Sequence, residues 1–504
     1  MWKNMKWAVA GLLSLFLGTP AARAEWLRAE SANFIVFSES RESRVRQQVS
    51  QLEVFHRLLL QMTGTRPQPS PNKLQVFFVR GNAEMRIVAE MRPEVGGFYS
   101  ATPTAILAVV DESQNRGSWN NHVLFHEYAH HFMFQFRPAA YPAWYVEGFA
   151  EYMMTATIGD DWIEIGNVNP NRVAWLNHDT WMPYEHILAP GARRISPLDV
   201  ALYYSQSWLL VHYLFRTPEA QRALPAYLAA HSRGGDPREA FESAFGMRIR
   251  DVDREIRAYT RRITMTRMER ADRSAAVPVE IGRLPASSDD LLLYQASMSL
   301  GQGERRGAAV LAHVRRAAAR HNDDYSRRVL ARAELLFGDR AAAGRLLETL
   351  IAGSPADAEL LFLRGMFYLL SGRADEAGRR AHFRAAQPWF ARAHRADPNH
   401  YPTLVHYAES LSLEPSYRSG NTLNILLLAR QLAPQVGSIT LRAAEMLLHL
   451  DRFEEAEVLL TPLAASVHRE AQASAAQALL ERARARQRPA PAGAEPVANE
   501  EANQ

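Results

Sequence analysis

The 504-residue chain contains no cysteine. That absence excludes a disulfide framework, a thiolate zinc site, an iron–sulfur cluster and a cysteine nucleophile, so any metal must be held by nitrogen and oxygen. Lysine is nearly absent too. Lys3, Lys6 and Lys73 stand against 17 histidines, and almost all the positive charge is arginine, which stays ionised when partly buried and forks onto carboxylates. Long apolar runs are also missing. The run Trp7–Gly18 falls short of the ~20 residues that span a bilayer. It follows the short basic stretch Met1–Lys6 and precedes Ala22-Arg23-Ala24, small residues where a signal peptidase cuts. The pattern predicts a secretory signal over 1–24, cut after Ala24, and a secreted or periplasmic destination with no integral membrane segment afterwards. The formal charge of +4 belongs largely to this leader: without Lys3, Lys6 and Arg23 the chain holds 55 basic against 54 acidic residues. A nucleic-acid partner is therefore not indicated.

What is present reads as a folded chain, 47% apolar and 22% charged. Asn33–Phe37 reads as a strand, and Ser43–Met62 as a helix with Val45, Val49, Leu52, Phe55 and Leu59 at helical spacing. Leu74–Val79, Gly97–Ser100 and Ala105–Val110 add strands, giving a small mixed sheet with one long helix. From Ser118 to Arg261 strand signals vanish apart from Trp162–Val168, and the segment reads as a mostly helical lobe. Met265–Ala286 is polar and irregular, with Arg267, Arg270 and Arg273 as a solvated face. Beyond it the composition turns to Ala, Leu, Arg and Glu. Leu336 and Leu370, Gly338 and Gly372, and Ala343 and Ala377 each lie 34 residues apart, the tetratricopeptide period. The prolines Pro355 and Pro398 fit that period if about nine residues are inserted near Ala381–Pro388. The expected organisation is α+β: a signal over 1–24, a domain over 25–265, a linker over 266–287, helical repeats over 288–487 and a disordered tail over 488–504.

The chemistry concentrates in His126-Glu127-Tyr128-Ala129-His130, an H-E-x-x-H pattern inside a helical run, Trp119–Phe136. Residues four apart on a helix lie about 40° from each other, so His126 and His130 can share one ion. Glu127 lies beside that face, within reach of a metal-bound water without being a ligand, as a general base for hydrolysis requires. After a turn, Trp144-Tyr-Val-Glu147-Gly-Phe-Ala-Glu151-Tyr152 sets two carboxylates on one helical face. A catalytic zinc takes three protein ligands, and without cysteine two histidines and one glutamate are the natural set. Glu147 fits better as the ligand, and Glu151 as the acceptor that fixes a histidine ring. Gly148 removes a side chain where helices must pack closely. His122 reads as lying behind the ligands or facing solvent. His178, His186 and His212 read as ordinary surface or core histidines.

The two motifs, with Gly96-Gly97-Phe98-Tyr99 before them, resemble the gluzincin metallopeptidases and most closely their peptidase-MA-like branch, over about Trp26 to Arg262. The resemblance implies a zincin-like N-terminal domain with one Zn²⁺ on His126, His130 and Glu147. It further implies a water activated by Glu127 and attack on a scissile carbonyl of a peptide or protein substrate. In that family a Tyr or His from the following helical region steadies the oxyanion, and Tyr204 in Tyr203-Tyr204-Ser205-Gln206-Ser207-Trp208 is the candidate here. The strand beside the site binds an extended peptide by main-chain pairing; carried over, that edge lies within Gly97–Val110. The repeats are expected to bind a protein partner or present substrate. A catalytically idle zincin scaffold or chaperone of the cell envelope is the alternative.

Overall fold

One six-stranded sheet is built from β1 (Leu27–Glu30), β2 (Phe34–Ser38), β3 (Leu74–Val79), β4 (Gly97–Ala101), β5 (Ile106–Asp111) and β9 (Glu280–Arg283), most of them rich in apolar residues. The strand order is β4-β5-β3-β2-β1-β9, with β2–β3 and β3–β5 parallel and the other pairs antiparallel. A smaller antiparallel sheet runs β6 (Thr157–Ile158), β7 (Trp162–Ile165), β8 (Thr266–Glu269). The computed structural model describes residues 26–488 except 69, 71, 92–94, 114–119, 178–179, 189–196, 271–276 and 466–469. The expected signal segment, and all of the expected tail except Arg488, lie outside the described residues.

Helices cover both faces of the large sheet. On one face Phe34, Val36, Val76, Phe78, Ala108 and Val110 share a core with α1 (Glu42–Thr63) and α3 (Asn120–Phe136). The two helices meet through Phe55 and Phe125, stacked at 3.9 Å, and through His56 Nδ1 and the Tyr128 hydroxyl at 2.8 Å. Burial pushes His56 down to about 4, so the ring is neutral there. The buried Glu53 carboxylate accepts from Ser31 Oγ (2.7 Å) and from the Asn33 amide (2.9 Å), tying the β1–β2 turn to α1. On the other face, Phe37, Phe77, Phe98, Leu107 and Val109 pack with α2 (Asn82–Val88) and with Leu292, Leu293 and Ala296 of α11 (Ser288–Leu300).

The span 266–287 is therefore not a linker. β8 joins the small sheet, β9 extends the large one beyond β1, and α11, read from the sequence as the first repeat helix, closes the far side of that sheet. Arg267 is exposed, as expected of a solvated face, while Arg270 is half-buried, and both are tied to the small sheet. Arg267 Nε donates to Glu164 (2.7 Å), and Arg270 Nη1 donates to the Gly159 and Asp160 carbonyls across the β6–β7 turn. Arg273 lies outside the described residues. β9 is a short edge strand whose one apolar residue, Ile281, is half-buried against the core, too little to record an alternation.

In chain order between α3 and β8 come α4 (Ala143–Met154), α5 (Pro170–Leu176), α6 (Tyr184–Leu188), α7 (Pro197–Arg216), α8 (Pro218–Ser232), α9 (Pro237–Phe245) and α10 (Ile249–Tyr259). The rest of the chain is a helical-repeat region in which each helix packs on the next: α12 (Glu304–His321), α13 (Asp324–Phe337), α14 (Arg340–Gly353), α15 (Ala358–Ala374), α16 (Arg379–Ala396), α17 (Tyr401–Ser410), α18 (Gly420–Leu432), α19 (Gly437–His449), α20 (Phe453–Ala464) and α21 (Glu470–Arg484). The start of α15 follows that of α13 by 34 residues, whereas α17 follows α15 by 43. The extra residues are shared between α15, the turn after it and α16, which carries Pro388 in its interior. Gly365 lets α15 approach α16, since a Cβ there would come within 2.5 Å of Phe390. Arg488, expected to begin the tail, pairs with Asp451. No helix among the described residues is long and apolar enough to cross a membrane.

Candidate metal centre

Apolar residues Leu124, Phe125, Tyr128, Ala129 and Phe132 fix one side of α3 into the core and turn His126 and His130 toward α4. Their Nε2 atoms lie 3.1 Å apart, and each faces Glu147 Oε2, at 3.8 Å from His126 and 3.7 Å from His130. Among the described residues these three form a group of side chains able to hold one ion. Three donors about 2.1 Å from a tetrahedral ion lie about 3.4 Å from one another, so the spacing fits zinc. Glu127 is half-buried at the next helical position after His126.

Glu147 and Glu151 are each 1% exposed, which a carboxylate tolerates only with specific partners. Glu151 Oε1 lies 3.6 Å from His126 Nδ1, behind the ligating nitrogen. It is held chiefly by Arg172, which donates Nε to Oε2 (2.8 Å) and Nη2 to Oε1 (2.5 Å). Asn169 contributes twice: its side-chain oxygen caps the first turn of α5, and its Nδ2 donates to Glu151 (3.3 Å). The cap thereby sets Arg172 in place. The guanidinium also lies 5.3 Å from the Tyr204 ring.

Tyr204 reaches the cluster from α7. Burial, the charges of Glu147 and Glu151 and a hydrogen bond to Glu147 all push its phenol well above the usual range, so it stays a donor. Beside it the Tyr203 phenol is buried and likewise raised, first by burial and then by Glu147. His122 is half-buried; burial holds it low, against the pull of Glu151. His131 is pushed to about 3 by burial, and its Nδ1 meets the Tyr99 hydroxyl of β4 at 3.1 Å. His212 is a core residue, bonded to Tyr259 (2.7 Å) and to the Gly166 carbonyl (2.9 Å). His186 is exposed, and His178 lies outside the described residues.

Gly148 serves the packing of α4 on α7: a Cβ there would strike the Ser207 carbonyl and come within 2.7 Å of Val211. Gly148→Ala is expected to cost about 1–3 kcal/mol through overpacking, lowering Tm by about 2–4 °C per kcal/mol in a thermal melt. An unchanged Tm would mean that the helices part without strain.

Sequence reading missed Arg172 and Asn169. Asn169-Pro170 is a helix-start signal, but nothing in it identifies a partner 18 residues upstream, across the β6–β7 hairpin. Arg172→Leu leaves the Glu151 carboxylate buried without its guanidinium, at an expected cost of about 3–5 kcal/mol. If the cluster holds zinc, zinc binding is expected to weaken about 10- to 100-fold in a chelator competition, since the Glu151 carboxylate 3.6 Å from His126 Nδ1 is then no longer fixed.

The open flank of the large sheet lies near this cluster. β4 is an edge strand, and Gly96–Asp111 and Thr102–Ala105 pairing turns the amides and carbonyls of Gly97, Tyr99 and Ala101 outward. Gly97 permits the close approach of β4 to α3, because a Cβ there would lie 2.9 Å from Val123 Cγ1.

Residues 121–234, spanning both motif helices, match the model of a family described as "Protein of unknown function (DUF1570)". No curated protein gives a match to the chain. Among solved structures, a thermophilic TPR protein of Thermus thermophilus is similar at 21% identity, over 39% of this chain and 100% of that one, with a TM-score of 0.33.

Proposed function

We propose that the chain is an exported zinc metallopeptidase of gluzincin type. The observation that carries this reading is the convergence of three electron-pair donors, His126 Nε2 and His130 Nε2 from α3 and Glu147 Oε2 from α4, the latter helix packed closely on α7 at Gly148. Lone pairs converging in a buried site repel unless a proton or a cation lies among them, and this donor set suits zinc. Bound zinc lowers the pKa of a coordinated water toward 7 and polarises a carbonyl oxygen.

The chain's own groups supply the remaining functions. Glu127 accepts the proton of the attacking water and returns it to the departing amine. Tyr204, kept protonated, offers a hydrogen-bond donor beside Glu147 to the developing oxyanion. Glu151, clamped by Arg172, orients His126. The outward amides and carbonyls of Gly97, Tyr99 and Ala101 pair with an extended peptide, which makes a peptide the fitting substrate class.

The test is metal analysis of purified protein together with an unbiased peptide library. Stoichiometric zinc and chelator-sensitive cleavage are expected. Zinc binding with no cleavage at all would support an idle envelope scaffold instead.

A further inference from the structure

The turn between β4 and β5 is gripped by the helical repeats. Thr104 Oγ1 donates to the Ser299 carbonyl at the end of α11 (2.6 Å), and Tyr401 at the start of α17 donates its hydroxyl to the Thr102 carbonyl (2.8 Å). That carbonyl is available because the Ala105 amide bonds Thr102 Oγ1 (3.0 Å). The two grips are joined behind the turn. Arg332 of α13 donates to Ser299 Oγ (2.9 Å) and pairs with Glu359 of α15, and His400 Nε2, next to Tyr401, lies 3.6 Å from Glu359. Two repeat helices, α11 and α17, thus hold one turn of the N-terminal sheet, and α13 and α15 link them behind it. Nearby, Asn72 Nδ2 donates to the Leu432 carbonyl (2.8 Å), and Leu404, Val405, Leu432, Val436 and Ile439 belong to the same apolar core as α1 and α3.

We propose that the inner face of the helical repeats is a clamp for the chain's own β4–β5 hairpin, with Tyr401 and Ser299 as its jaws, and that it holds the edge strand in register for peptide pairing. The part concerning peptide rests on the metallopeptidase reading; the clamp itself does not. An edge strand is paired on one side only and is free to fray from its turn. Fixing the turn from outside removes that freedom before a peptide arrives, so less ordering remains to oppose binding. Tyr401 and Thr104 are positioning residues, since they act through the backbone of β4.

The experiment uses the full chain with Tyr401→Phe and Thr104→Val, singly and together. Both substitutions keep shape and remove one hydroxyl donor. Amide hydrogen exchange of the segment 97–111 is expected to accelerate about tenfold in the double variant, with α3 unaffected. In the same protein, KM for an extended peptide is expected to rise about fivefold or more with kcat within about twofold, while a dipeptide substrate too short to pair along β4 is unaffected. Unchanged exchange over 97–111 overturns the clamp. Faster exchange with unchanged KM overturns its role in peptide pairing. If the wild-type chain cleaves nothing, the metallopeptidase reading and the pairing role fall together, and the exchange result still decides the clamp.

Discussion

Glu127→Gln is expected to bind one zinc per chain and to lose peptide hydrolysis by about 10²–10⁴-fold, the usual contribution of a positioned general base. The amide keeps the shape of the carboxylate and cannot take a proton. Glu127 lies on α3 next to His126 and is outside the group His126, His130 and Glu147, so the substitution is expected to leave that triad intact. The prediction is checked by metal stoichiometry and steady-state kinetics on one preparation. A variant that binds zinc and retains full activity would remove Glu127 from the mechanism; one that loses zinc would place it among the ligands.

Zinc itself is expected to stabilise the protein through its ligands. At a free concentration 100 times Kd, a ligand bound only by the folded state adds about 2.7 kcal/mol, a rise of about 5–10 °C in Tm for a domain of this size. Chelation reverses the rise. His126→Ala is expected to abolish it, because one histidine and one carboxylate leave too few donors to compete with water. An equal zinc-induced shift in wild type and His126→Ala would show that the ion binds elsewhere.

The grouping of the candidate ligands was legible because they obey local periodicity. His126 and His130 are four apart on one helix, Glu147 and Glu151 four apart on the next, and the intervening turn is short enough to bring the helices together. The long helix α1 and strands β2, β3, β4 and β5 were legible for the same reason, since each buries a face and the apolar spacing records it. What was not legible lacks such a record. β9 half-buries a single apolar residue, Ile281, so it leaves no alternation to read, and its pairing with β1 joins positions as far apart as Leu27 and Arg283. Arg172 is one arginine among many until the fold brings it to Glu151. The repeats could be read as an array from their 34-residue period. That their first helix would close a sheet built mostly near the N-terminus could not, because an apolar face does not name what it will cover.

The pairing of β1 with β9 also sets a timetable for synthesis. β1 leaves the ribosome early, and at about 5–20 residues per second its outer neighbour follows roughly 10–50 s later. For that interval a nearly finished sheet presents a bare rim. Arg28 and Glu30, on the partly exposed positions of β1, place charge along that rim, as sequences do where a nascent strand must not find the wrong companion.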